Sequence, residues 1–157
     1  MADSTFENDW ADELDLSVDP DYPADPDPWK KFPFEVEVLN ASANTVHGGN
    51  GKDYIDITNV WIGALDVKGG NDQIDVENAS LGTVELGWGV DKFTVTNGYV
   101  GDVSGGIGND VVTVNAGGSI GHVDLGNGAA DASVGKEDVL DADGYVGTVT
   151  SGNGDDK

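Results

Sequence analysis

Four aspartates recur at a fixed interval, each closing a glycine-rich stretch: Asp53, Asp72, Asp91 and Asp110 are 19 residues apart. Gly48 to Asp53 reads GGNGKD and Gly105 to Asp110 reads GGIGND; Val67-Lys68-Gly69-Gly70-Asn71-Asp72 and Leu86-Gly87-Trp88-Gly89-Val90-Asp91 keep the last glycine and the aspartate. These residue types suit a hard cation. Ca²⁺ takes about six to eight oxygen ligands from carboxylates and backbone carbonyls. Glycine permits the left-handed angles that turn several carbonyls toward one point. Stacked turns would hold an ion between consecutive copies, with one aspartate from each. The pairs Asp53/Asp72, Asp72/Asp91 and Asp91/Asp110 are then candidate sites, followed by Asp110/Asp131. Gly49, Gly51, Gly70, Gly89, Gly106 and Gly108 shape these turns, Asp138 belongs to the last of them, and Gly154 with Asp156 forms a further copy.

The elements that must position these turns follow from a second regularity. Val46, Leu65, Val84 and Val103 are spaced by 19, Val123 follows after 20 and Val149 after 26. The acidic position lies seven residues after each marker, except in the fifth unit, where Ala130 occupies it. Inside a unit the apolar residues alternate with period two, the signature of half-buried strands. Leu65 and Val67 read as one strand, Ile74 and Val76 as a second, and Asn78-Ala79-Ser80-Leu81-Gly82 as the return turn. The return turn has columns of its own. Asn40, Asn59, Asn78 and Asn97 fall in register as a ladder able to hydrogen-bond from coil to coil, and Leu81, Val100, Ile120 and Val146 follow as inward plugs. The expected fold is all-β: a parallel β-roll or two-sided β-solenoid of about five 19-residue coils over residues 32–157, stacked at about 4.8 Å.

The complete nonapeptides, GGNGKDYID at Gly48 to Asp56 and GGIGNDVVT at Gly105 to Thr113, resemble the RTX (repeats-in-toxin) calcium-binding repeat. The resemblance implies a β-roll with Ca²⁺ in its turns, carried to Asp53 and Asp110 by full motifs and to Asp72 and Asp91 by partial ones. An RTX roll uses nonapeptides on both sides, whereas the asparagine turn here offers no carboxylate. Calcium is therefore expected along one edge only.

Composition points the same way. The chain has 157 residues, 30 acids, 7 lysines and arginines together, 24 glycines, no cysteine and a net charge of -23. So acidic a surface excludes nucleic acid and anionic membrane as partners. Without counter-ions its self-repulsion opposes folding. Neither a disulfide framework nor a thiolate metal site is available. No apolar run is long enough for a spanning helix, so membrane insertion is not expected, and the first residues lack the features of a cleaved signal peptide. The expected location is extracellular or cell-surface, where calcium fills sites of modest affinity.

Residues 1–31 read as an acidic, proline-rich arm, with a capping box at Ser4 to Glu7 and Phe6, Trp10 and Leu14 at helical spacing, which predicts a short helix over residues 5–14. The solenoid itself is expected to start at a second strand, Val36 and Val38, and to stop after a first strand and turn, Val149 to Lys157. Two such half-coils are complementary, so a head-to-tail homopolymer is expected. The fifth unit carries an insertion that moves its acids to Asp131, Glu137 and Asp138, after which Val139, Leu140 and Ala142 resume the strand.

Other chemistries find no support. Gly51-Lys52 is followed by Asp53 where a phosphate loop needs Ser or Thr. Two histidines, His47 and His122, make neither a zinc site nor a nucleophile pair. No enzyme is expected. Trp61, Tyr99 and Tyr145 share one column with Ser80 and Ser119 between them, a stripe suited to a glycan or surface contact. The expected function is that of an extracellular calcium-binding structural protein assembling into filaments or a matrix layer. The alternative is a calcium-folded RTX module of a secreted adhesin or enzyme.

Overall fold

The computed structural model describes residues 3–7, 10–15, 34–127 and 138–152. The chain climbs through successive layers. β1 (Asp3–Glu7) and β2 (Trp10–Asp15) form the first, and β3 (Phe34–Leu39) and β4 (Ser42–His47) the second. The next three layers add a short third strand: β5 (Asp53–Thr58), β6 (Trp61–Asp66) and β7 (Gly69–Gly70); β8 (Gln73–Glu77), β9 (Ser80–Glu85) and β10 (Trp88–Gly89); β11 (Lys92–Thr96), β12 (Tyr99–Ser104) and β13 (Ile107–Gly108). β14 (Val111–Val114) with β15 (Ser119–Asp124), and β16 (Val139–Ala142) with β17 (Tyr145–Thr150), are the last two described layers. Among the described residues every strand pairing is parallel and joins equivalent strands of adjacent layers, giving two sheets of seven strands and one of three. This is the all-β parallel solenoid that the 19-residue period requires.

Parallel stacking converts sequence columns into straight spatial lines. Val46 pairs with Leu65, Leu65 with Val84, Val84 with Val103, Val103 with Val123 and Val123 with Val149. One layer shows how the core is made: Ile74, Val76, Ala79, Leu81, Val84 and Leu86 all face inward and are buried. Phe93, Val95, Val100 and Val103 repeat this one layer on. Each fully buried Val, Leu or Ile contributes roughly 1.5–3 kcal/mol.

The asparagine column makes one corner. Asn40, Asn59, Asn78 and Asn97 have φ of 50°, 56°, 52° and 49°. Asparagine tolerates this left-handed conformation better than most residues. The expected side-chain ladder is not what joins these corners: the backbone N–H of Asn59 donates to Glu77 O at 3.1 Å and that of Asn78 to Thr96 O at 3.1 Å, while the side chains are exposed. The turn is also tighter than expected. Only Asn78 and Ala79 turn; Ser80, Leu81 and Gly82 already belong to β9. The 20-residue interval before Val123 has a local cause, since the corner there lengthens to Asn115-Ala116-Gly117-Gly118, closed by Gly118 N–H to Asn115 O at 2.9 Å.

The helix expected over residues 5–14 is replaced by β1 and β2. Asp3 pairs with Glu35 and Trp10 with Ser42, a constant offset of 32 residues that puts Ala11 beside Ala43 and Leu14 beside Val46. An isolated helix of that length is marginal in water. The open edges of β3 and β4 instead offer backbone partners for a whole segment. Asn44 Nδ2 donates to Asp12 Oδ1 at 2.8 Å, and His47 Nε2 lies 3.8 Å from Glu13 Oε1. The layer beginning at Phe34 is therefore not the outermost half-coil; a strand pair precedes it in the stack.

Candidate metal site

The alternation that buries Ile55 and Ile57 extends one step back to Asp53, so the carboxylate at this position points inward. The same holds one layer later for Asp72 ahead of Ile74, then for Asp91, Asp110 and Asp138, all of them buried. They form a continuous ladder. The backbone N–H of Asp53 donates to Asp72 Oδ1 at 2.9 Å, that of Asp72 to Asp91 Oδ1 at 2.7 Å, that of Asp91 to Asp110 Oδ1 at 3.0 Å and that of Asp110 to Asp138 Oδ1 at 2.7 Å. Gly49 N–H caps the lower end on Asp53 Oδ2 at 3.0 Å.

From Asp72 onward each carboxylate thus has one oxygen held by the layer below, and Asp53 has one held by its own turn. The second oxygens, Asp53 Oδ1, Asp72 Oδ2, Asp91 Oδ2 and Asp110 Oδ2, are buried and accept no hydrogen bond. Burial pushes the Asp72 carboxyl up to about 7, with the neighbouring Asp91 and Asp53 charges adding to the effect. Asp110 is likewise raised to about 7 and Asp91 to about 6, in both cases chiefly by burial, and the backbone hydrogen bonds offset only part of it. Asp53 is raised by burial against the Gly49 N–H. Ionised together, these groups would be desolvated like charges one strand spacing apart, about 4.8 Å.

The glycine turns close around this ladder. At one column Gly87 and Gly106 both have φ of 91°, and Lys68 takes the same left-handed path at 65° without the freedom of a glycine. Two residues on, a Cβ at Gly89 or Gly108 would run into the carbonyl oxygen of the glycine one layer below. Turn carbonyls are shared between layers: Lys68 O accepts from Trp88 N–H at 3.0 Å and Gly87 O from Ile107 N–H at 2.8 Å. A carbonyl retains a second lone pair after one such bond. The donor set is therefore all oxygen, suited to a hard cation and to nothing softer. Among the described residues no three His, Asp or Glu side chains surround a common point. An ion between two layers would draw on the free oxygen of each flanking aspartate and on turn carbonyls.

The expected site residues thus divide. Gly49, Gly51, Asp53, Gly70, Asp72, Gly89, Asp91, Gly106, Gly108 and Asp110 come together along one line. After the insertion it is Asp138 that continues the column, because Val111 pairs with Val139. Asp131, Gly154 and Asp156 lie outside the described residues. What sequence reasoning missed was the inward direction of the aspartates; the period-two step from Asp53 to Ile55 and Ile57 carried that signal. It also missed that Trp10 belongs to the aromatic column, since its helical spacing with Phe6 and Leu14 masked the offset of 32.

Fold and site together define a class: a parallel β-solenoid with an aspartate ladder inside one corner. Comparison of the chain with family models, with characterised proteins and with solved structures gave no match in any of the three. The likeness to the repeats-in-toxin nonapeptide accordingly rests on the turns themselves.

Proposed function

We propose that the protein is a calcium-stabilised structural solenoid of the extracellular space, with RTX-like turns and the capacity to assemble head to tail. The observation that carries the calcium reading is the set of buried, unbonded carboxylate oxygens on Asp53, Asp72, Asp91 and Asp110. A buried charge without a partner is costly, and a divalent ion between layers is the partner these oxygens fit. Outer columns add to the demand for cations. Glu37, Asp56 and Asp75 stack in direct register, as do Asp66 and Glu85. Like charges directly opposite destabilise a sheet. Circular dichroism and thermal melts against added Ca²⁺ test this reading: the fold should sharpen and its Tm rise on addition and fall on chelation. A metal-free sample indifferent to both would end it.

Assembly is supported by the last described layer. Val149 lies in the column of Val123, which is fully buried, yet is 47% exposed, and Leu140 and Val146 are only half-buried. Among the described residues no strand pairs with the outer edges of β16 and β17. An in-register parallel edge is a template for another layer, and repeated heterologous contacts of that kind generate filaments. Electron microscopy of the pure protein with and without chelator is the experiment, and a monodisperse monomer at high concentration with Ca²⁺ is the adverse result. The reading is of a structural protein.

A further inference from the structure

The outer face of the second seven-stranded sheet carries a line of aromatic rings. Trp10 pairs with Ser42, Ser42 with Trp61, Trp61 with Ser80, Ser80 with Tyr99, Tyr99 with Ser119 and Ser119 with Tyr145. Aromatic and serine alternate through the seven described layers. The rings present about half or more of their surface to solvent: Trp10 is 59%, Trp61 48%, Tyr99 51% and Tyr145 66% exposed. Rings on every second layer recur at about 9.6 Å along a straight axis.

Two residues further along β6, β9, β12, β15 and β17 the column is glycine, at Gly63, Gly82, Gly101, Gly121 and Gly147, whereas β2 and β4 carry Asp12 and Asn44 there. Trp61 Cη2 lies 3.4 Å from the point a Gly63 Cβ would occupy, and Tyr99 Oη 3.6 Å from that of Gly121. The Trp61 and Tyr99 rings therefore lean over a floor without side chains. Beyond that floor stand acceptors and hydroxyls, Thr83 and Asp102 nearest, then Asp66, Glu85 and Asp124. The line offers flat apolar platforms at even spacing, edged by carboxylates that accept hydrogen bonds.

We infer that this stripe binds a linear, neutral β-1,4-linked polysaccharide of the cellulose or chitin type. In such a chain each pyranose is turned over relative to its neighbour, so the same apolar C–H face recurs once per disaccharide. That repeat is close to two solenoid layers, which gives one ring per disaccharide and leaves the small serines beneath the intervening sugar. Sugar hydroxyls donate to the flanking carboxylates. The net charge of -23 excludes a polyanionic glycan. This inference stands apart from calcium binding and assembly, and the experiment is run with Ca²⁺ present throughout so that folding is not the variable.

Sedimentation of the full chain with microcrystalline cellulose and with chitin, and calorimetry with the soluble cello- and chito-hexaoses against their disaccharides, test it. The two glycan series distinguish the sugar. At least one hexaose should bind about tenfold or more tightly than its disaccharide, because it reaches additional rings. Trp61→Ala should weaken hexaose binding about tenfold and Trp61→Phe should largely restore it, while Trp88→Ala, an exposed aromatic off the stripe, should change nothing. Tyr145→Ala on the last described layer, at an exposed ring outside the core cluster, provides a second variant and should also weaken hexaose binding. Binding to neither glycan, or equal losses in Trp61→Ala and Trp88→Ala, would overturn the inference.

Discussion

Asp72 and Asp91 stand one layer apart, and the backbone N–H of the first donates to Oδ1 of the second at 2.7 Å while Oδ2 of Asp91 is buried without a partner. The same side chain is thus a structural acceptor and an uncompensated charge. The hydrogen bond holds the layers in register, whereas the free oxygen sets the conditions under which they stay stacked.

These two roles separate by mutation. Asp91→Asn keeps an oxygen for the Asp72 N–H and removes the charge, so in chelator at about pH 8 it should stabilise the fold by about 1–3 kcal/mol and diminish the response to Ca²⁺. Asp91→Ala leaves the buried N–H unsatisfied and should destabilise by about 1–3 kcal/mol under every condition. Urea unfolding with and without Ca²⁺ reads both.

Stability of the metal-free protein should fall as pH rises. Asp72 and Asp110 are raised to about 7 and Asp91 to about 6 from an ordinary value of 3.8, so between those limits the folded chain binds more protons than the unfolded chain. Below the ordinary value both states are protonated and the groups contribute nothing; above the raised values both are ionised and the full penalty applies. Urea midpoints in chelator should therefore be higher at about pH 5 than at about pH 8, and Ca²⁺ should restore stability at the higher pH. A midpoint that rises with pH in chelator would contradict the ladder.

Gly108→Ala should be among the most damaging single changes. Its φ is 153° and the new Cβ would meet the Gly89 carbonyl oxygen. Strain of this kind costs on the order of 1–3 kcal/mol before any clash is relieved, and the layers cannot separate locally without breaking β13 from β10. Thermal melts of the calcium-loaded variant provide the measurement.

Phe93→Ala removes the largest fully buried side chain among the described residues and should cost about 3–5 kcal/mol. In a stacked array each layer is supported only by its neighbours. Hydrogen exchange should accordingly show lost protection concentrated in β8, β11 and β14, with the first layers less affected.

The N-terminal layer admits a direct check as well. Leu14 packs against the core beside Val46. Leu14→Asp should release β1 and β2 and raise hydrogen exchange in β3 and β4, while leaving β11 and β12 protected. If the segment were a helix away from the stack, β3 and β4 would exchange identically in both proteins.

Much of this architecture is legible in the chain itself. The 19-residue period in Val46, Leu65, Val84 and Val103, the inward alternation and the turn aspartates follow from the order of residues, because a parallel solenoid repeats its sequence in space and identical positions must meet. Composition limits the partners by charge alone. Three matters were decided only by tertiary structure. The segment from Asp3 to Asp15 carries helical spacing, and only the unpaired edges of β3 and β4 make strands the better outcome. Asp138 rather than Asp131 continues the ladder because the pairing of Val111 with Val139 fixes where the inserted loop rejoins the stack. The burial of the aspartates comes last: the period-two step from Asp53 to Ile55 and Ile57 points them inward, but five carboxylates on one line are shut away from water only once the layers lie on top of one another.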